Sequence, residues 1–262
     1  MKPIKIFAIC AGIALLASSL AFVTDDTGNK AIEPQPIVAN GDGFAVLELF
    51  TSEGCSSCPP ADKLLGRIQQ QYKDKPVYVL AYHVDYWDRL GWKDQFSSLE
   101  FTNRQYAYTQ SLKSEMYTPQ VVLNGKSEFV GSNAKVADES LEAATKGTPK
   151  AKFDVQARTE AGNIHFDYTF DRYENDGILR MAIVQKHAVS QVKRGENEGR
   201  TLDHWQIVRK LHTFRLNPYG KGSNQFKIPQ GFNTKDWEII GMVQNEKDGK
   251  IIAATRASFA KQ

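Results

Sequence analysis

Apolar and polar residues follow two different rhythms along this chain, and the change falls near residue 147. Residues 44–50 form a short apolar run interrupted only by Glu48, which predicts a buried strand. In 61–72, Leu64, Leu65 and Ile68 recur at helical spacing, and 77–82 is a continuous β-prone run. Residues 88–114 have helical character, with Phe96, Leu99, Tyr106 and Leu112 set among polar residues. Asn124-Gly125 lies between the apolar runs 120–123 and 127–130, a strong hairpin signal. Residues 132–146 mix small, apolar and charged side chains as a surface helix does. The predicted order is strand, helix, strand, helical insertion, hairpin, helix.

Beyond the Gly147-Thr148-Pro149 stretch the pattern becomes strict alternation. Ile164, Phe166, Tyr168 and Phe170 share one face of a predicted strand, with His165, Asp167 and Thr169 on the other. Residues 151–158, 178–189, 237–244 and 250–258 also read as strands, the last two joined by a turn containing Asp248-Gly249. This half, 151–260, predicts an antiparallel β-sandwich; the first half, 43–147, predicts an α/β domain.

The N-terminus places Lys2 and Lys5 before an apolar stretch, 6–23, that contains Ala17, Ser18, Ser19 and Ala21. That order of charge, apolar run and small residues predicts a signal peptide over 1–21, with an uncleaved anchor as the alternative. A polar, proline-containing linker follows over 22–42. Removing Lys2 and Lys5 takes the formal charge from +3 to +1. A nearly neutral chain offers no electrostatic case for nucleic acid or an anionic membrane surface. A periplasmic or secreted location follows, where disulfides persist.

The chain has three cysteines, and Cys10 lies in the predicted signal, so the mature protein holds only Cys55 and Cys58. A bridge closing so short a loop restrains the unfolded chain by about 2 kcal/mol, too little for a dedicated staple. Redox exchange or metal ligation remains. Exchange needs an accessible thiolate and a second sulfur within reach to resolve the mixed disulfide. A strand leading into a helix start supplies both, with Cys55 as nucleophile and Cys58 as resolver. The metal reading adds His83, since Cys55, Cys58 and His83 make a soft set for copper. The plainer reading of His83 is a hydrogen-bonded histidine at a strand end.

The Cys-Ser-Ser-Cys turn, followed later by Thr118-Pro119 before the strand 120–123 and its hairpin, resembles the thioredoxin fold. The stretches 48–62, 117–120 and 195–200 together resemble a family of exported bacterial proteins of unknown function (DUF1223-like). That family joins a thioredoxin-like domain to a β-rich C-terminal domain. The resemblance implies that Pro119 is a cis proline facing the cysteines and that Thr118 offers backbone groups to a substrate chain. It also implies that Glu48 is a buried acid relaying a proton to Cys58; on the residues alone Glu48 is a half-exposed strand residue. The implied activity is thiol-disulfide exchange on a protein or small thiol, needing no cofactor beyond the Cys55–Cys58 disulfide. A non-catalytic binding module is the alternative.

Pro59 disfavours helical geometry at Cys58, and with Pro59 and Pro60 in the first helical positions the helix dipole helps Cys55 less. The aromatic residues Tyr82, Tyr86, Trp87, Trp92, Phe96, Phe101, Tyr106 and Tyr108 suit either a core or a groove for an extended partner. The segment 195–200 lacks the spacing and the lysine of a phosphate loop and reads as a long connection reaching toward the cysteines. No Gly-x-Ser-x-Gly or His-Glu-x-x-His occurs.

Overall fold

The computed structural model describes residues 41–172, 174 and 176–259. The signal peptide of 1–21, Cys10 and nearly all of the 22–42 linker lie outside the described residues. Among the described residues no helix is long and apolar enough to cross a membrane.

The first strand, β1 (Ala45–Thr51), runs into the cysteine turn and helix α1 (Pro59–Gln71). Strand β2 (Val77–His83) returns parallel to β1, pairing Ala45 with Val77 and Thr51 with His83. A single 3-10 turn (Asp88–Leu90) and helix α2 (Leu99–Leu112) replace the longer helical insertion. Ser98 caps α2 by accepting from the Glu100 amide. The hairpin β3 (Gln120–Leu123) and β4 (Ser127–Val130) has the predicted limits, and Asn124 and Gly125 both take positive φ (51° and 63°), as the tight turn requires. Helix α3 (Ala134–Thr145) completes this half.

Then come β5 (Phe153–Glu160), β6 (Asn163–Phe170), β7 (Gly177–Gln191), β8 (Thr201–Arg215), β9 (Lys221–Lys227), β10 (Trp237–Asn245), β11 (Ile251–Arg256) and β12 (Ser258–Phe259). One sheet of eight strands has the order β11-β10-β7-β8-β2-β1-β3-β4; the other has the order β12-β5-β6-β9. Both sheets are mixed: β1 and β2, β2 and β8, and β12 and β5 are parallel pairs, and the rest are antiparallel.

This corrects the expected fold class. The described chain is mostly strand, with three α-helices, and is not a thioredoxin-like α/β domain followed by an all-β sandwich. The cause is β8. It pairs along β7 and touches β2 in parallel at Ala81–Ile207, so strands from both halves share one sheet.

Period-two alternation then sets the layers. Ala45, Leu47 and Leu49 pack against α1 and α3 through Leu65, Ile68 and Leu141. Val46 and Phe50 face the other way, with Tyr82, Phe101 and Tyr108 on the α2 side. Ile164, Phe166 and Tyr168 pack the small sheet against Leu179, Met181 and Ile183 of β7. Of the eight aromatic residues that suited either a core or a groove, Tyr82, Phe96, Phe101 and Tyr108 are buried, Tyr86, Trp87 and Trp92 are half-buried and Tyr106 is exposed.

Candidate functional site

Cys55 and Cys58 form a disulfide, with Cα atoms 5.4 Å apart, at the turn between β1 and α1. Cys58 is the N-cap of α1, with Pro59 and Pro60 in the first two helical positions as expected. It nevertheless adopts helical angles (φ −80°, ψ −35°) despite the following proline, and its carbonyl accepts from the amides of Ala61 and Asp62. The residue pair was expected to stand open to solvent. It does not: neither cysteine exposes any surface (0 % each), while Ser56 and Ser57 between them are exposed.

The tip of the β7–β8 hairpin, the 195–200 segment, is hydrogen-bonded to the backbone of the cysteine turn. Asn197 is fully buried, and its Nδ2 donates to the carbonyls of both Glu53 and Cys55 at 2.9 Å. Arg200 Nη1 fixes Asn197 by donating to its Oδ1 at 2.7 Å. Glu196 Oε2 accepts from the Ser56 amide at 3.0 Å, and its bonds with Ser56 hold its carboxyl below the ordinary range. Three turn bonds, Gly199 N to Val192 O, Glu198 N to Gly195 O and Arg200 N to Asn197 O, make the tip a compact unit.

Thr118 lies on the opposite side. Its carbonyl is 3.5 Å from Ser57 Oγ, which is itself 3.4 Å from Cys55 Sγ, and its hydroxyl accepts from Trp87 Nε1 at 2.9 Å. The Thr118–Pro119 peptide bond is cis, and Pro119 and Ala61 both border Gly131.

Glu48 is elsewhere. It is fully buried on the α2 side of β1, where Arg104 Nε and Nη2 each lie 2.7 Å from its Oε1 and Tyr108 donates a short bond to its Oε2. Burial, opposed by Arg104 and reinforced by Glu48, pushes the Tyr108 phenol well above its ordinary value. Both carboxylate oxygens are therefore occupied. A cavity of about 280 Å³ opens on this side beside Arg104, Tyr108, Arg180 and Gln244, and its walls include neither cysteine.

Acidic groups next to the cysteines come instead from Glu53 and Asp62, two residues before Cys55 and four after Cys58. Both are buried, and they flank His204 of β8: His204 Nε2 is 3.4 Å from Glu53 Oε1 and Nδ1 is 3.7 Å from Asp62 Oδ2. Trp92 Nε1 donates to Glu53 Oε2 at 2.6 Å. Burial alone disfavours the charged imidazole, but Asp62 and Glu53 together raise its pKa to about 10.

His83 ends β2 in the same buried region, with its ring 4.9 Å from that of His204 and Nδ1 2.7 Å from Asp94 Oδ2. Burial works to raise the Asp94 carboxyl; His83 and the amides of Glu53 and Phe96 overcome it and hold the group below its ordinary value. Among the described residues no three of the His, Cys, Asp and Glu side chains are grouped as a metal set, so His83 is not brought together with the two sulfurs as one.

The sequence reading gave no individual role to Glu53, Asp62, Asp94, Asn197 or His204, and took Trp92 only as one of the core-or-groove aromatics. Glu53 and Asp62 lie in the 48–62 stretch and Asn197 in the 195–200 segment that carried the resemblance, whereas His204 depends on a strand that the alternation did not reveal.

A crystal structure of an Agrobacterium tumefaciens protein is 26% identical with a TM-score of 0.64, covering 85% of this chain and 97% of that one. A domain of the outer membrane lipoprotein Omp28 from Porphyromonas gingivalis is 10% identical with a TM-score of 0.27, covering 43% of this chain and 90% of that one. No curated protein matches the chain. A family profile described as "Protein of unknown function (DUF1223)" matches residues 46–244, a span that holds both cysteines, Pro119, the hairpin tip and His204, and the chain therefore belongs to that family of proteins of unknown function.

Proposed function

We propose that the protein is an exported thiol-disulfide oxidoreductase whose working group is the Cys55–Cys58 disulfide and whose hairpin tip must lift before a substrate sulfur can reach it. The observation that carries this reading is the location of the bond. It sits at the start of α1, where Thr118 reaches the turn through Ser57 and the hairpin tip is tied to the turn's backbone by Asn197. A bridge between residues three apart adds about 2 kcal/mol at most to a core already built from two sheets and three helices, so stability is a poor reason for it. The substrates are thiols or disulfides of a protein or a small molecule in the periplasm or outside the cell; no nucleic acid, membrane or further cofactor enters.

In the reducing direction, the Cys55 thiolate attacks a substrate disulfide, and one substrate sulfur leaves as thiolate. Cys58 then attacks Cys55 Sγ in the mixed disulfide, re-forming the bond and releasing the second substrate sulfur. The substrate gains the two electrons that the cysteine pair loses. With a dithiol supplied to regenerate the pair, insulin reduction should turn over with the wild-type protein and stop in Cys55→Ser. Equal rates for the two proteins would refute the activity.

A further inference from the structure

The buried charges beside the turn have no part in the exchange steps above, yet the structure of α1 gives them one. When the disulfide is opened by attack at Cys55, Cys58 leaves as an anion at a place with no solvent exposure. Helix N-termini ordinarily stabilise such an anion through free amides. Here the first two positions are Pro59 and Pro60, which have no N–H, and the amides of Ala61 and Asp62 both point to the Cys58 carbonyl. With that support missing, the sulfur needs a proton, because an unpaired buried charge is costly.

Asp62 lies four residues after Cys58, one helical turn on, which puts the two side chains on one face of α1. Behind it stands His204, 1 % exposed, with Nε2 and Nδ1 ion-paired to Glu53 Oε1 at 3.4 Å and Asp62 Oδ2 at 3.7 Å but, like Glu53 Oε1, outside hydrogen-bond geometry. We propose that His204, acting through Asp62, supplies the proton that the Cys58 sulfur takes up when the disulfide opens, an inference that rests on the exchange reading.

A reductant thiolate attacks Cys55 Sγ, a sulfur–sulfur bond forms there, and the Cys55–Cys58 bond breaks with its electron pair on Cys58 Sγ. That sulfur takes its proton from His204 Nδ1 by way of the Asp62 carboxylate, which accepts one proton as it passes one on and ends unchanged, leaving His204 neutral. The second thiol of the reductant then displaces Cys55, so the reductant becomes a disulfide and the pair a dithiol.

The groups facing His204 set its charge. Glu53 comes from the cysteine turn, Asp62 from α1, His83 from β2 and Phe96 from the segment between β2 and α2, whose Trp92 donates to Glu53. Asp94 is engaged by His83, and Arg209 of β8 stacks on the Phe96 ring. His204 and Asp62 are thus proton-relay residues, not residues that contact the substrate.

The test is the rate at which dithiothreitol reduces the disulfide of the full mature chain, divided by the dithiothreitol thiolate concentration, from about pH 7 to pH 11. In the wild-type protein this normalised rate should stay level and then fall about tenfold per pH unit above the His204 pKa of about 10. His204→Gln should be slower by about 100-fold at pH 8 and show no fall, and Asp62→Asn should also be slow. A His204→Gln profile of the wild-type shape, at any absolute rate, would overturn the relay. So would a wild-type rate that stays level to pH 11, which decides the matter even where a variant does not fold. Because the readout is one reduction of the protein's own disulfide, it is independent of whether insulin turns over.

Discussion

Asn197→Ala should make the disulfide far easier to reduce, and the structure sets the size of the effect. Asn197 Nδ2 donates to the carbonyls of Glu53 and Cys55 at 2.9 Å each, and both bonds are lost when the hairpin tip lifts. At about 1 kcal/mol net per bond, their removal favours the open state by about 2 kcal/mol, or about 30-fold in population. The Arg200 bond to Asn197 lies within the tip and is common to the closed and open states, so it drops out. With reclosing faster than attack, the reduction rate follows the open population. The assay is the pseudo-first-order loss of the disulfide in excess reduced glutathione at neutral pH, followed by trapping of the free thiols. About a 30-fold acceleration is expected, and its rate should depend only weakly on low urea, since local opening exposes little surface. An Asn197→Ala rate within twofold of wild type, in a protein that keeps its circular dichroism, would refute the gating. A urea dependence as steep as that of global unfolding would refute it as well.

Other expectations concern the core and the buried charges. Arg104→Met strands the Glu48 carboxylate and should cost about 3–5 kcal/mol in urea unfolding, while the double variant with Glu48→Met should recover most of the loss. His204 has a folded pKa of about 10 against an ordinary 6.5, so its contribution to stability is complete below about pH 6.5 and disappears as the pH rises through 10. Unfolding free energy should decline across that window in wild type, and His204→Gln should remove that part of the slope. Gly66→Ala would set a Cβ 2.7 Å from the Trp205 indole, where α1 crosses β8, and should lower stability by about 1–3 kcal/mol in the same assay.

Much of the fold was legible where one face of an element is buried. The hairpin ends at 120–123 and 127–130 followed from Asn124-Gly125, whose positive φ values few other pairs supply. The alternation from Ile164 to Phe170 marked β6 because its polar face is turned to solvent. Strand β8 stayed hidden for the opposite reason. Its pattern breaks at Gln206, which takes φ 54°, and at the register shift opposite Ile183 and Val184, and Asp203, Arg209, Lys210 and Arg215 dilute its apolar residues. Missing that strand concealed the single sheet to which both halves contribute strands, and it also hid His204. Glu48 shows the same limit at the level of one side chain. The residues alone left it half-exposed and only the resemblance implied a buried acid; its partners, Arg104 and Tyr108, lie more than 50 residues away on α2.

The central claim is that the buried disulfide is a working redox centre and not a fixed crosslink. Its equilibrium reduction potential, measured on the mature chain in glutathione buffers, tests this most directly. A value above about −250 mV, within reach of cellular thiol couples, is predicted. A value below about −300 mV is that of a structural bridge and would contradict the account.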